Sequence, residues 1–422
     1  MQATKNDQSR QRIEWFNHDR FGMFIHWGLY SILARGEWVR SKEQISGRDY
    51  QQYFEEFNPL RYDPRSWARI ARQAGQQYAV LTAKHHEGFC LFDSKLTGFN
   101  ATRTPAKRDL VREYVDAFRK EGLKVGFYYS LLDWHHPGYP VDRLHPLRDD
   151  KVAKARKRDL KLYVDYLHGQ VHELLTNYGR IDVIWFDFSY DKMTDEAWRA
   201  MELMDMVRKL QPDIVVNNRL TAGHCNLQSG LRLGDFATPE QIVPPNGLAD
   251  GTGKAIPWEA CITLNDNWGY AYSKYKTAQD VIRMLVECVS KGGNLLLNVG
   301  PNPRGEIPVE SVKILEEVGR WMRENSESIY GCGAAGLPKP EWGRFTSNGN
   351  RLYAHVFERP MGPVVLPNMR GKICKARLLR DGSEVRIQQP WNAADYQEDE
   401  FICLTDNVFP DPIDTVVMLE LK

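Results

Sequence analysis

Short apolar runs alternating with helix-period segments over the first 330 residues set the tightest limit on what this chain can fold into. Six runs are clear: Gly22–His26, Tyr78–Ala83, Val125–Ser130, Val183–Asp187, Ile214–Asn217 and Leu295–Val299. Two weaker ones, Leu233–Phe236 and Trp258–Thr263, bring the set to eight. Between several of them the apolar period changes to that of a helix. Asp63-Pro64 joins a capping carboxylate to a proline suited to a first helical turn, and Trp67, Ile70, Ala71 and Ala74 then share one face. Asp109 opens a similar segment with Leu110, Val111, Tyr114, Val115 and Phe118. Further helices are expected over Lys151–Tyr178, Thr194–Leu210, Thr277–Ser290 and Pro308–Glu324. Buried strands separated by helices form a parallel sheet, and eight of them predict a (β/α)8-like barrel. No GxGxxG follows the first run, which disfavours an open dinucleotide-binding sheet. Nothing helical separates Phe236 from Trp258, so the barrel is expected to be irregular on that side.

After about Gly331 the texture changes. GCGAAGLPKP reads as a linker, and helical periodicity stops beyond it. Arg351–Phe357, Val364–Leu366, Ala376–Leu379, Glu384–Ile387, Phe401–Leu404 and Thr415–Leu421 read as short strands, with Asp381-Gly382 as a hairpin turn. The predicted organisation is a catalytic barrel over residues 1–335 and a C-terminal antiparallel β-sandwich over 336–422 that packs against it.

Charge and cysteine content exclude several classes. Fifty-six basic side chains against 55 acidic ones leave no polyanion-binding surplus, so nucleic acid is not an expected partner. The seven cysteines, Cys90, Cys225, Cys261, Cys288, Cys332, Cys374 and Cys403, are scattered without CxxC spacing, which argues against a disulfide framework and a zinc site; most are expected to be small buried hydrophobes. No apolar run is long enough to cross a bilayer, and the polar start MQATKNDQSRQR lacks a signal-peptide core; a cytoplasmic protein without a membrane partner is expected. Aromatics reach 11%, and flat rings suit the C–H faces of sugars.

Barrel chemistry gathers at the C-terminal ends of strands, and the polar and aromatic oddities of this sequence fall there. The first run ends in His26-Trp27-Gly28, the second leads into Lys84-His85-His86-Glu87-Gly88-Phe89, and the third passes through Tyr128 and Tyr129 to Asp133-Trp134-His135-His136. The fourth ends in Trp185-Phe186-Asp187, the fifth in Asn217-Asn218-Arg219, the sixth leads to Thr238-Pro239-Glu240, and the seventh begins with Trp258-Glu259. Asp187 closes an almost wholly apolar run, where a carboxylate is costly to bury without a purpose. Convergence of the other strand ends makes it a catalytic candidate rather than a helix cap. Glu37, Glu240 and Glu259 are the available second carboxyls. Adjacent residues on a strand point to opposite faces, so His85 and His86 are not expected to share a metal ion. HExxH and a matching carboxylate set are also missing, which disfavours metal-dependent hydrolysis.

FGMFIHWGLYS, GEW, YAVLTAKHHEGFCLFDSK, KRDLV, GFYYSLLDW, IWFDF, VVNNR, NWGY and VSKGGNLLLNVGPNPRGEIP, in this order over residues 12 to 330, resemble glycoside hydrolase family 29. That resemblance implies a retaining, exo-acting α-L-fucosidase that takes fucosylated oligosaccharides or glycoconjugates and needs no metal or organic cofactor. It matches Asp187 to the nucleophile, with Trp185 beside it. His26, Glu37, Trp38, His85, His86, Tyr128 and Arg219 fall on positions that hold fucose, and Trp268 on an aromatic near the sugar methyl. The acid/base falls to Glu240 in the TPE segment or Glu259 in the later WE pair, and residues 234–240 are matched well enough to favour Glu240. Phe188 departs from the pattern, which commonly has glycine after the nucleophile. The loops Pro137–Leu147 and Ile242–Ile256 are expected to shape the aglycone side.

Overall fold

The computed structural model describes residues 5–221, 231, 233–404 and 411–422. Seven parallel strands form one curled sheet: β1 (Phe21–Ile25), β2 (Tyr78–Lys84), β3 (Lys124–Ser130), β4 (Val183–Asp187), β5 (Val215–Val216), β6 (Glu259–Thr263) and β7 (Asn294–Val299). Their spatial order is β5-β4-β3-β2-β1-β7-β6. The gap between β5 and β6 is spanned by isolated parallel bridges, Asn217 with Phe236, Ala237 with Trp258 and Glu240 with Cys261. The expected strand Leu233–Phe236 is thus replaced by an extended stave running from Phe236 to Glu240. Gly234 lies so close to the Asn217 carbonyl that a Cβ would sit 2.6 Å from it, and Pro239 has no N–H to give a ladder. The Asp235 side chain takes the place of a ladder acceptor for the Val216 N–H, at 2.8 Å.

Period-2 alternation divides the strands between two cores. Phe24, Val80, Tyr128, Trp185, Cys261 and Leu296 pack inside the barrel, while Met23, Leu81, Phe127, Phe186 and Leu297 face the helices outside. An N-terminal helix, Lys5–Asp19, carries Ile13 and Phe16 into the interior cluster. The Phe16 ring lies 4.5 Å from that of Phe236 and 5.7 Å from that of Tyr78, which closes the N-terminal mouth and leaves the C-terminal one for a ligand.

The outer helices begin where their caps predict. Asp63 and Asp109 accept backbone N–H groups at the starts of Pro64–Gln73 and Leu110–Lys120, and Thr277 with Asp280 forms a capping box on Ala278–Ser290. Two expected helices are broken. Lys151–Tyr178 divides into Lys151–Ala155 and Leu160–Asn177, the second restarted by an Asp159 cap. Thr194–Leu210 opens as a 3-10 turn, Asp195–Trp198, before Ala200–Leu210.

The C-terminal part forms two antiparallel sheets. One, in the order β12-β15-β10-β9-β8, contains Ile373–Leu378, Thr415–Leu421, Arg351–Val356, Gly343–Asn348 and Gly333–Ala334; the other, β11-β14-β13, contains Val364–Leu366, Glu400–Cys403 and Arg386–Ile387. Gly333–Ala334 lies within the Gly/Pro-rich stretch read as a linker, and the polar GRFTSN of β9 gave no apolar signal. Phe345, Leu352 and Val417 face Val364, Leu366 and Ile402 in one core. Tyr353, Val416 and Met418, on the other face of the larger sheet, join the core of the barrel's helical layer. Cys90, Cys261, Cys288 and Cys332 are buried, whereas Cys374 is exposed; Cys225 lies outside the described residues.

Candidate active site

At the C-terminal mouth a cavity of about 100 Å³ is lined by Phe24, His26, Glu37, Trp38, His85, His86, Tyr128, Trp185, Asp187, Phe188, Arg219, Glu240, Cys261 and Trp268. Of the residues expected from the sequence, the structure brings all but Glu259 together here.

Asp187 ends β4 with its carboxylate fully engaged. Oδ2 accepts the Tyr128 hydroxyl at 2.8 Å; Oδ1 accepts Arg219 Nη1 at 2.8 Å and the Phe188 N–H at 3.0 Å. Arg219 stands on a single turn, Asn218–Leu220, directly after β5. Its Nε donates to Thr238 Oγ1 at 2.7 Å and its Nη2 to the Thr238 carbonyl at 3.0 Å, so the guanidinium plane is fixed from the eighth stave. The same Nη1 lies 2.8 Å from Glu240 Oε2. One buried nitrogen therefore joins both carboxylates. Burial acts to lower the Arg219 pKa, but Asp187, Cys261 and Glu240 around it raise it above its ordinary value, so its charge is permanent. The Asp187 side chain is 9% exposed and that of Glu240 30%, which sets Asp187 in the depth of the pocket and Glu240 nearer the mouth.

Three imidazoles form the opposite wall. His26 Nδ1 donates to Asn298 Oδ1 at 2.7 Å, and Asn298 Nδ2 donates to the Trp268 carbonyl at 2.8 Å, which fixes the amide's orientation. Burial pushes the His26 pKa down to about 3, against the Asn298 bond. The ring is neutral, with Nε2 left as an acceptor for a hydroxyl. Burial, with His86 and His26 adjacent, also holds His85 well below the usual imidazole range. His86 Nδ1 is 2.7 Å from Ser130 Oγ. Strand alternation assigned His85 and His86 to opposite faces, yet their ring centroids are 3.9 Å apart and both line the cavity. The reason is that β2 ends at Lys84 and its register with β3 already slips between Thr82 and Lys84. Lys84 turns away to pair with Asp133 at 3.1 Å, and the Trp134 N–H donates to the His86 carbonyl at 2.9 Å. These contacts bind the loops after β2 and β3 together. Gly88 completes the turn at φ 86°, where a Cβ would stand 2.2 Å from Asp133 Oδ1.

Glu37 does not sit at a strand end but in the turn before the short helix Val39–Lys42. Its Oε2 accepts the Gly269 N–H at 2.7 Å, and burial raises its pKa. Trp38 packs at 4.8 Å from His86, 5.4 Å from Trp134 and 5.2 Å from Phe188, forming an aromatic wall. Phe188 has φ 74°. A side chain in that region costs roughly 1–2 kcal/mol, which is the physical reason a glycine suits the position after Asp187. Glu259, the first residue of β6, is enclosed at the opposite end of the barrel interior, where it accepts from the Tyr78 hydroxyl and from Trp185 Nε1 at 3.3 Å.

Thr238, Asn298, Phe24 and Cys261 also build the site and were given no role in it from sequence. Asn298 had a readable signal: a polar residue two positions beyond Leu296, in the otherwise apolar run Leu295–Val299, shares the lumen face of Leu296. Thr238 had only its place beside Glu240 at a strand end, because its partner Arg219 comes from another stave.

Comparison with known proteins identifies the family. The α-L-fucosidase family model matches residues 1–327. The chain belongs to the α-L-fucosidase family. It is thus a glycoside hydrolase, similar to the plasma α-L-fucosidase of Homo sapiens (32% identical over 351 residues, 76% of this chain and 70% of that protein). The tissue α-L-fucosidase of Homo sapiens is 30% identical over 390 residues, 85% of this chain and 78% of its own. Among solved structures, α-L-fucosidase isoenzyme 1 from Paenibacillus thiaminolyticus superposes with a TM-score of 0.96 at 59% identity, covering 98% of this chain and all of that one. A GH29 α-L-fucosidase from Bacteroides thetaiotaomicron, trapped as a covalent intermediate with 2-fluoro-fucosyl fluoride in a glutamate-to-glutamine mutant, superposes with a TM-score of 0.86 at 29% identity; the match covers 100% of this chain and 98% of that one. These matches extend the family likeness through the C-terminal sandwich as well as the barrel.

Proposed function

We propose that this protein is a retaining exo-α-L-fucosidase that removes terminal α-L-fucose by double displacement, with Asp187 as nucleophile and Glu240 as acid/base. The observation that carries this reading is the shared nitrogen. Two carboxylate oxygens that each lie 2.8 Å from Arg219 Nη1 are no farther apart than twice that distance. That upper bound is compatible with the roughly 5–5.5 Å of retaining glycosidases and, for this oxygen pair, lies below the roughly 6.5–9.5 Å that an inverting enzyme needs for its water. Glu240 attends the mouth, where a leaving group departs, whereas Glu259 lies outside the cavity.

In the first step Asp187 attacks the anomeric carbon as Glu240 gives its proton to the glycosidic oxygen. In the second, Glu240 takes a proton from the water that releases fucose. Neutral His26 offers an acceptor to a sugar hydroxyl, while Phe24 and Trp268, 5.8 Å apart, provide an apolar corner for the C6 methyl. The dead-ended cavity supports exo action on fucosylated oligosaccharides and glycoconjugates. Proton NMR of 4-nitrophenyl α-L-fucoside cleavage tests the reading: α-L-fucose appears first if it is right, and β-L-fucose first refutes it.

A further inference from the structure

Glu259 is a buried carboxyl for which the double displacement has no use. It is fully enclosed, begins β6 and lies outside the pocket lining. Burial pushes its pKa up to about 7, against hydrogen bonds from Tyr78 and Trp185. Both of its oxygens are engaged. Oε2 accepts the Tyr78 hydroxyl, which itself accepts Asn294 Nδ2 at 3.4 Å, and Oε1 accepts Trp185 Nε1 at 3.3 Å. The other contacts of Trp185 lead into the site. The Arg219 guanidinium lies over the indole at 4.4 Å, and the Tyr128 ring stacks on it at 5.8 Å with the planes 24° apart. Arg219 and Tyr128 are the two side chains that hold Asp187, and Arg219 also holds Glu240. A tilt of the indole would displace all three contacts.

We propose that Glu259 is a positioning residue: it pins the Trp185 indole from below, and the indole face sets Arg219 and Tyr128 against the reacting carboxylates. The proposal rests on the roles given above to Asp187 and Glu240.

Glu259→Gln, Glu259→Leu, Trp185→Phe and the double variant Glu259→Leu/Trp185→Phe test it. Glutamine keeps an oxygen for the indole N–H and an amide that can donate to Tyr78, so kcat stays within about threefold of wild type. Leucine offers no acceptor, and kcat falls about 10²-fold, the order that a 1 Å misplacement costs, while KM changes far less. Trp185→Phe alone gives a comparable fall, and the double variant is no worse than the poorer single one, because both act through one contact. A glutamine variant as poor as the leucine one would overturn the proposal, since it would make the carboxyl's proton the required feature. Additive losses in the double variant would overturn it as well. If the leucine variant fails to fold, the glutamine variant still decides between anchoring and proton transfer. A crystal structure of Glu259→Leu is expected to show Trp185 and Arg219 displaced, and finding both unmoved refutes the anchoring whatever the activity. Absence of wild-type turnover on the fucoside would sink the assigned activity instead, and the crystal structure would still judge the anchoring.

Discussion

Replacing Arg219 by methionine removes a cation that joins the two carboxylates while keeping an unbranched side chain. Arg219 is 2% exposed, and its Nη1 lies 2.8 Å from both Asp187 Oδ1 and Glu240 Oε2. At an effective dielectric constant near 20, a pair of unit charges about 4 Å apart is worth about 4 kcal/mol. Removing one partner of a buried pair costs about 3–5 kcal/mol, because the charge left behind has lost its compensation. If about 3–4 kcal/mol of that appears in the barrier, kcat/KM falls by a factor on the order of 10²–10³. Arg219→Lys keeps the charge but cannot hold Thr238 and both carboxylates at once with a single ammonium, so only part of the activity is retained. Steady-state hydrolysis of 4-nitrophenyl α-L-fucoside measures both variants, with a thermal melt to verify folding. A folded Arg219→Met enzyme within tenfold of wild type would refute the shared-cation argument.

Tyr128→Phe removes a 2.8 Å hydrogen bond to the charged Asp187; a bond of this kind is worth about 1.5–3 kcal/mol, so kcat/KM should fall roughly 10- to 100-fold, and an unchanged value would contradict the contact. Glu240→Gln should lose about 10²–10⁴-fold on substrates with poor leaving groups and far less on 4-nitrophenyl fucoside; equal losses on both would remove Glu240 from the acid/base role. Burial pushes the Glu87 pKa up to about 7 from 4.5, against hydrogen bonds from Tyr50 and Leu29. The folded chain therefore holds a proton that the unfolded chain releases across that interval, and this contribution to stability, complete at low pH, is lost as pH rises through 7. Glu87→Gln cannot ionise, so its stability relative to wild type should grow by up to about 3 kcal/mol between pH 5 and 8. Urea unfolding at the two pH values checks this, and a constant difference would refute it.

The parts of the fold written in local chemistry were legible. The run Val183–Asp187 was read to the residue because a carboxylate stops an apolar strand, and Asp63 and Asp109 announced their helices by capping. The eighth stave was not legible in detail, because its pairing depends on the Asp235 side chain reaching the Val216 N–H of another segment. The same limit applied within the site. Asp187 and Glu240 could be placed at strand ends, but the nitrogen that joins them belongs to a third stave and appears only in three dimensions. His85 and His86 defied the period of 2 because the strand had already ended. Glu259 could be recognised as unusual, but its burial at the foot of the barrel interior, bonded to Trp185, is a fact of tertiary packing.

The assignment of Asp187 as covalent nucleophile is tested most directly by Asp187→Gly with 4-nitrophenyl α-L-fucoside, with and without azide. The account predicts loss of turnover without azide and its return with azide, with β-L-fucosyl azide as the product, since the small anion attacks from the face that the missing carboxylate occupied. An Asp187→Gly variant that hydrolyses the fucoside unaided would contradict it.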